Sequence, residues 1–209
     1  MTANVSNTVG LVFGNATSVA VYRPELSRQR ARIVRLGVVS ACGATLGAVL
    51  LLVLPASAFR AVVPAFIGLG VVAILIGPQV SKRLAARGGG PSLAAGGPLT
   101  MAGVVVAGAY GGYFGAGQGL LFIAVLGIAL ADTLHRLNAL RNVLAGLANT
   151  IAAVVFVGST HIAWTAAALI AAGSIGGGWV GVHIGRRLPA GVYRAVIAAV
   201  GVIAFVKLV

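Results

Sequence analysis

The chain has 209 residues, of which 59% are hydrophobic and only 8% charged, with a mean hydropathy of +1.06. That balance excludes a water-soluble domain of this length, whose surface would need roughly three times the charge. Fifteen Lys and Arg residues against two acids give a net charge of +13, but the bases sit in short clusters between long apolar runs, so they mark loops flanking a membrane and not a nucleic-acid surface.

A spanning helix needs about 20 apolar residues. The first such run covers residues 1–21 and carries Asn4, Asn7 and Asn15. It has no basic stretch before it of the kind that opens a secretory signal. A loop with Arg23, Arg28, Arg30, Arg32 and Arg35 follows, together with Glu25, one of the two acids. The second run, 36–54, holds the single cysteine, Cys42, which has no disulfide or metal-ligand companion and reads as inert packing. Gly43-x-x-x-Gly47 in the same run suits close helix packing, because small residues let backbones approach in lipid. Arg60 then precedes a third run, 61–80, and the basic linker 82–98 contains Lys82, Arg83 and Arg87.

Residues 99–131 are too many for one ordinary crossing and are interrupted by Gly115-Ala-Gly-Gln-Gly119. The expected structure is two short helices meeting at a break, a re-entrant or hairpin segment. Non-helical backbone at membrane depth is tolerated only where protein buries it or a cavity borders it, which makes this interruption a candidate binding site. Asp132, the second acid, lies just beyond, with His135 and Arg136. The next runs are 138–157, which carries Asn138, Arg141, Asn142 and Asn149, then 164–185 with Gly177-x-x-x-Gly181 and His183, then 192–209. The loop 158–164, with His161, has no Lys or Arg, whereas Arg186, Arg187 and Arg194 follow the penultimate run.

The chain repeats itself. Asn4, Asn15, Ser40, Gly43, Gly47, Leu54, Pro55 and Arg60 recur at a constant offset of 134 as Asn138, Asn149, Ser174, Gly177, Gly181, Leu188, Pro189 and Arg194. The first repeat is assigned to 1–81 and the second to 99–209, with 82–98 as a cytoplasmic linker. Cations concentrate on the cytoplasmic side of membrane proteins. If 99–131 enters and returns on one side, 13 of the 15 bases face the cytoplasm; a single crossing would split them 9 to 6. The hairpin reading places 158–164 outside and its repeat-mate, the five-arginine loop, inside, so the two repeats are inverted, as in carriers that expose one site alternately to each side. Subtracting 134 from 99–131 gives positions before Met1, so the first repeat lacks a counterpart of the hairpin. The expectation is a start assigned too late or a shortened carrier. The fold expected is therefore all-α, a polytopic transmembrane helical bundle of two inverted repeats with a glycine-broken hairpin.

Two acids, neither mid-membrane, leave no carboxylate dyad and no proton relay, so an enzyme is not expected. The three histidines have no spacing that converges on a metal, and no cofactor is expected. What remains is a set of neutral polar groups that are costly in hydrocarbon unless paired. Asn138, Asn142 and Asn149 fall near one helical face, because intervals of 4 and 11 residues are close to whole turns. Asn4 and Asn15 repeat the 11-residue interval. Each amide could equally glue helices together. Arg141 either snorkels to the headgroups or adds positive charge to the amides. A helix restarting at Gly117–Gly119 would aim backbone N–H groups and a positive dipole end at an anion, with Gln118 donating through its amide. The candidate site is thus Gly115, Gly117, Gln118, Gly119, Asn138, Arg141, Asn142 and Asn149, with Asn4 and Asn15 from the first repeat, and the expected partners are a small anionic substrate and the lipid bilayer. Oligomeric state leaves no mark, and a homo-oligomer with shared sites stays open.

Tyr110-Gly-Gly-Tyr-Phe-Gly-Ala-Gly-Gln-Gly119, Leu137-Asn-Ala-Leu-Arg-Asn-Val-Leu-Ala-Gly146, and Gly185-Arg-Arg-Leu-Pro189 with Arg194 resemble motifs of the sulfite exporter TauE/SafE family of bacterial membrane proteins. The resemblance extends over essentially all of the chain. It departs at Gln118, where the family usually has glycine, and in the absence of the first glycine-rich motif; Thr2-Ala-Asn-Val-Ser-Asn-Thr-Val9 is similar to the segment that normally follows that motif. It implies a multi-pass protein of the bacterial inner membrane that moves small sulfur-containing anions such as sulfite or sulfonates. The rival readings are a non-transporting membrane scaffold or subunit, a truncated inactive carrier and, more distantly, a membrane-embedded enzyme.

Overall fold

The computed structural model describes residues 2–55, 57, 97–115, 117–130 and 132–185. The apolar runs expected at 61–80 and 192–209, the linker bases Lys82, Arg83 and Arg87, and Arg186, Arg187 and Arg194 lie outside the described residues, as do Arg60 and Lys207. Among the described residues the chain forms six helices: α1 (Thr2–Val21), α2 (Arg30–Val53), α3 (Pro98–Tyr113), α4 (Gln118–Ala129), α5 (Leu134–Ser159) and α6 (Trp164–Gly185). Three are long and apolar enough to cross a membrane: α2, α5 over His135–Ser159 and α6 over Trp164–His183. The 20 residues of α1 are less apolar, because Asn4, Ser6, Asn7, Thr8, Asn15 and Thr17 punctuate them.

Local chemistry sets the helix ends. Pro98 opens α3 at its first turn, where a missing N–H costs nothing. The Thr133 hydroxyl caps α5 by accepting from the Arg136 N–H at 3.5 Å. Between α3 and α4 the chain reverses through Gly115 at φ 76° and Gly117 at φ 74°, a left-handed conformation that L side chains enter at a cost of about 1–2 kcal/mol. The interruption expected at Gly115–Gly119 is therefore a break, and α4 folds back antiparallel on α3: Gly103 faces Val125 and Gly111 faces Gln118. With 16 and 12 residues, neither helix of this hairpin reaches the length of a full crossing.

Backbone-to-backbone packing joins α2 to α3 in parallel. A Cβ on Gly43 would fall on the Val105 carbonyl, on Gly47 upon that of Ala109, and on Gly112 upon that of Ala44. On the other flank α1 runs parallel to α6, with Gly10 against Ile170 and Gly14 against Ser174. Between these pairs α1 and α5 run antiparallel, Asn15 lying on Gly146. Two apolar cores result. Leu36, Val104, Phe122, Leu126, Leu140 and Leu144 unite α2 to α5. Val5, Leu51, Tyr113, Phe156 and Ala167 join the two flanks. The 134-residue offset also governs a pair of polar contacts: the Ser40 hydroxyl donates to the Leu144 carbonyl at 3.2 Å, and Ser174, its repeat-mate, donates to the carbonyl of Gly10, the repeat-mate of Leu144, at 3.0 Å.

No described atom lies within 4 Å of where a Cβ would sit on Gly177 or Gly181, so any close packing of that pair lies outside the described contacts. One expectation needs correction. Cys42 is free and exposed on the outer face of α2, not packed in the bundle.

Candidate functional site

At the break Gly117 is exposed, Gly119 half-buried and Gln118 buried. Gly117 is the N-cap of α4, and no side chain caps that end, so the positive end of the helix is open to a negative group. The restart expected at Gly117–Gly119 is present. The bare Cα of Gly119 makes room for the Arg141 guanidinium, which lies over it: a Cβ there would meet Arg141 Nε at 3.0 Å and Cζ at 3.1 Å. Arg141 Nη1 also donates to Asn138 Oδ1 at 3.4 Å, one turn earlier on α5. The side chain thus reaches from α5 to the start of α4.

Asn149, about two turns beyond Arg141 on α5, accepts from Gln118 Nε2 at 2.9 Å through Oδ1, and both residues are buried. Gln118 therefore commits a donor to α5, where sequence reasoning assigned it to cargo. Its Oε1 rests against the bare Cα of Gly111 and has no hydrogen-bond partner among the described residues. Asn142 is buried on the same face of α5. From the first repeat, Asn4 Nδ2 donates to the Tyr113 carbonyl at 3.2 Å, immediately before the break. Asn15 is not brought to the break. It lies on Gly146, and its Nδ2 is buried with no hydrogen-bond partner among the described residues.

The hairpin's other end is pinned by charge, a contact sequence reasoning missed. Asp132 receives Arg32 Nη1 from α2 at 2.8 Å and Arg136 Nε from α5 at 3.0 Å. Partial burial pushes its carboxyl up, but the Thr133 N–H and the two guanidiniums outweigh that and hold it below the usual carboxylate value. The four-residue spacing from Asp132 to Arg136 was the available signal; Arg32 left none. Beneath this clamp Gln29, 1% exposed, donates to the Glu25 and Arg136 carbonyls at 2.8 and 3.5 Å. A cavity of about 320 Å³ opens between α1 and α5, lined by Val9, Val12, Phe13, Ala153, Val154 and Val157 with Thr150, and offers no charge to an anion. No group of His, Cys, Asp or Glu able to hold a metal occurs among the described residues.

The break thus gathers an uncapped helix start, a guanidinium over a bare glycine, and carboxamides from two helices. No curated protein and no solved structure matches the chain. The model of one family, described as sulfite exporter TauE/SafE, matches residues 1–208. With essentially its whole length matched, the chain belongs to the sulfite exporter TauE/SafE family of membrane transporters.

Proposed function

We propose that the protein carries a small anion, of the sulfite or sulfonate kind, across the bacterial inner membrane by alternating access, and that the anion binds where α4 restarts. The observation that carries this reading is the position of Arg141: a planar, permanently charged donor lies against the Gly119 backbone, beside the exposed and uncapped Gly117. An oxyanion placed there would meet positive charge and backbone N–H groups together, the combination that lets a planar guanidinium bind two oxygens of one anion. Asn138 steadies the guanidinium, the Gln118–Asn149 pair holds the start of α4 against α5, and Asn4 ties α1 to the end of α3. Cargo could then leave when the two flanks rock against each other.

The antiparallel course of α1 and α5, which are repeat-mates, and the duplicated Ser40 and Ser174 contacts support an inverted pair of repeats. The hairpin's return to the Asp132 clamp, among the bases of the five-arginine loop, supports entry and exit on the cytoplasmic side. The test is thermal unfolding of the purified chain with sulfite, sulfate and an alkyl sulfonate. A ligand at about 100 times its Kd stabilises the folded state by about 2.7 kcal/mol. An upward shift with sulfite or sulfonate that is lost in Arg141→Gln supports the carrier; flat melts with all three anions favour the non-transporting subunit.

A further inference from the structure

Five arginines lie within thirteen residues, Arg23 to Arg35, between α1 and the start of the α2 span. The stretch is a folded surface and not a loose tail. Successive turns close it, with the Glu25 N–H donating to the Tyr22 carbonyl, the Leu26 N–H to that of Arg23 and the Gln29 N–H to that of Leu26. Buried Gln29 staples it to the Arg136 carbonyl of α5 at 3.5 Å, and Arg28 sits at φ 61°, the one described residue other than glycine in the left-handed region. Arg32 is occupied, half-buried against Asp132, which Arg136 also holds. Arg23, Arg28, Arg30 and Arg35 are exposed. The chain holds two acids in all, so with Asp132 between two guanidiniums, Glu25 is the single carboxylate side chain left for these four. That count holds wherever the undescribed residues lie, because 58–96 and 186–209 carry eight bases and no acid.

We propose that this patch is a docking site for the headgroup of an anionic phospholipid. Arg30 and Arg35 fall in the first two turns of α2, spread over about 7 Å of helix axis, which matches the depth of a headgroup layer. Arg23 and Arg28 lie on the loop just before them, so guanidiniums and phosphodiesters meet at the same level of the bilayer. A phosphodiester offers two oxygens to one planar guanidinium, and a juxtamembrane polybasic segment gains roughly fivefold in affinity for acidic lipid per arginine. The external anion also spares the clamp: with the exposed charges neutralised, their repulsion no longer opposes the approach of Arg32 and Arg136 to Asp132. None of the patch residues belongs to the candidate site at the break.

The probe is phosphatidylglycerol. The full chain is reconstituted in phosphatidylcholine vesicles with a minor share of phosphatidylglycerol and released in mild detergent, and the retained lipids are counted by native mass spectrometry. Phosphatidylglycerol is expected to be enriched over its share in the vesicle. Arg28→Gln with Arg30→Gln should cut that enrichment about tenfold or more, and Arg23→Gln with Arg35→Gln should do the same. Lys82→Gln with Arg83→Gln, which removes equal charge from the linker, should leave it within about twofold. Both patch variants should melt with the parent in pure phosphatidylcholine, because the replaced side chains are exposed; this separates lost docking from lost folding. Enrichment unchanged in the two patch variants overturns the proposal, and so does an equal loss in the linker variant, since net charge alone would then attract the lipid. Displacement of the lipid by sulfite, but not by chloride at equal ionic strength, overturns it too, because the patch would then belong to the path of the cargo.

Discussion

Replacing Gly119 by leucine would set a branched side chain in the space of the Arg141 guanidinium, which already lies 3.0 Å from the nearest Cβ position. The arginine would have to swing away, so Gly119→Leu is expected to insert in the membrane normally but lose anion-dependent stabilisation, as read by sulfite titration of the melting temperature. Unchanged titration would remove the site from the break. Arg141→Lys is the finer test. Lysine keeps the charge but not the planar fork, and roughly tenfold weaker sulfite affinity is expected by calorimetry. The glycines of the break were legible in the sequence because apolar helices have little other use for so dense a cluster. The fate of Gln118 was not, since a side-chain amide can serve cargo or a neighbouring helix equally well, and only the position of Asn149 across the gap decides between them.

At the scale of elements, the hairpin is held at its open end by one carboxylate between two guanidiniums. Because Asp132 titrates below the usual carboxylate value in the folded chain, its contribution is complete above the unfolded value of about 3.9 and is lost as pH falls through the lower folded one. Asp132→Asn is therefore expected to melt lower than the parent at neutral pH, by on the order of 1 kcal/mol, and to lose part of the parent's acid sensitivity. Parallel pH profiles for the two proteins would show that the clamp contributes nothing. Hydropathy alone announced the helices, and Gly43-x-x-x-Gly47 announced a close contact. What hydropathy could not say is which helix arrives on each glycine face: α3 arrives on Gly43 and Gly47, while no described atom reaches the same spacing at Gly177 and Gly181. Spacing records what a face permits, and the neighbour decides whether it is used.

At the scale of the whole molecule, two serine contacts 134 positions apart flank the antiparallel α1–α5 seam: Ser40 of α2 meets α5, and Ser174 of α6 meets α1. If the two flanks move as bodies, that seam is where they must slide. A Cβ placed on Gly146 would lie 3.3 Å from the Cβ of Asn15, close to the separation a disulfide requires. In a Cys42→Ser background, Asn15→Cys with Gly146→Cys is therefore expected to cross-link under mild oxidation. Sulfite flux into proteoliposomes should stop on oxidation and recover on reduction, the reduced form serving as control for loss of the Asn15 amide. Flux that persists with the bond fully formed would mean that the flanks do not move across this seam. Access would then have to change locally, through α4 moving against α3 near the Asp132 clamp, and cross-linking Gly103→Cys to Val125→Cys between these two helices would be the modification that blocks it.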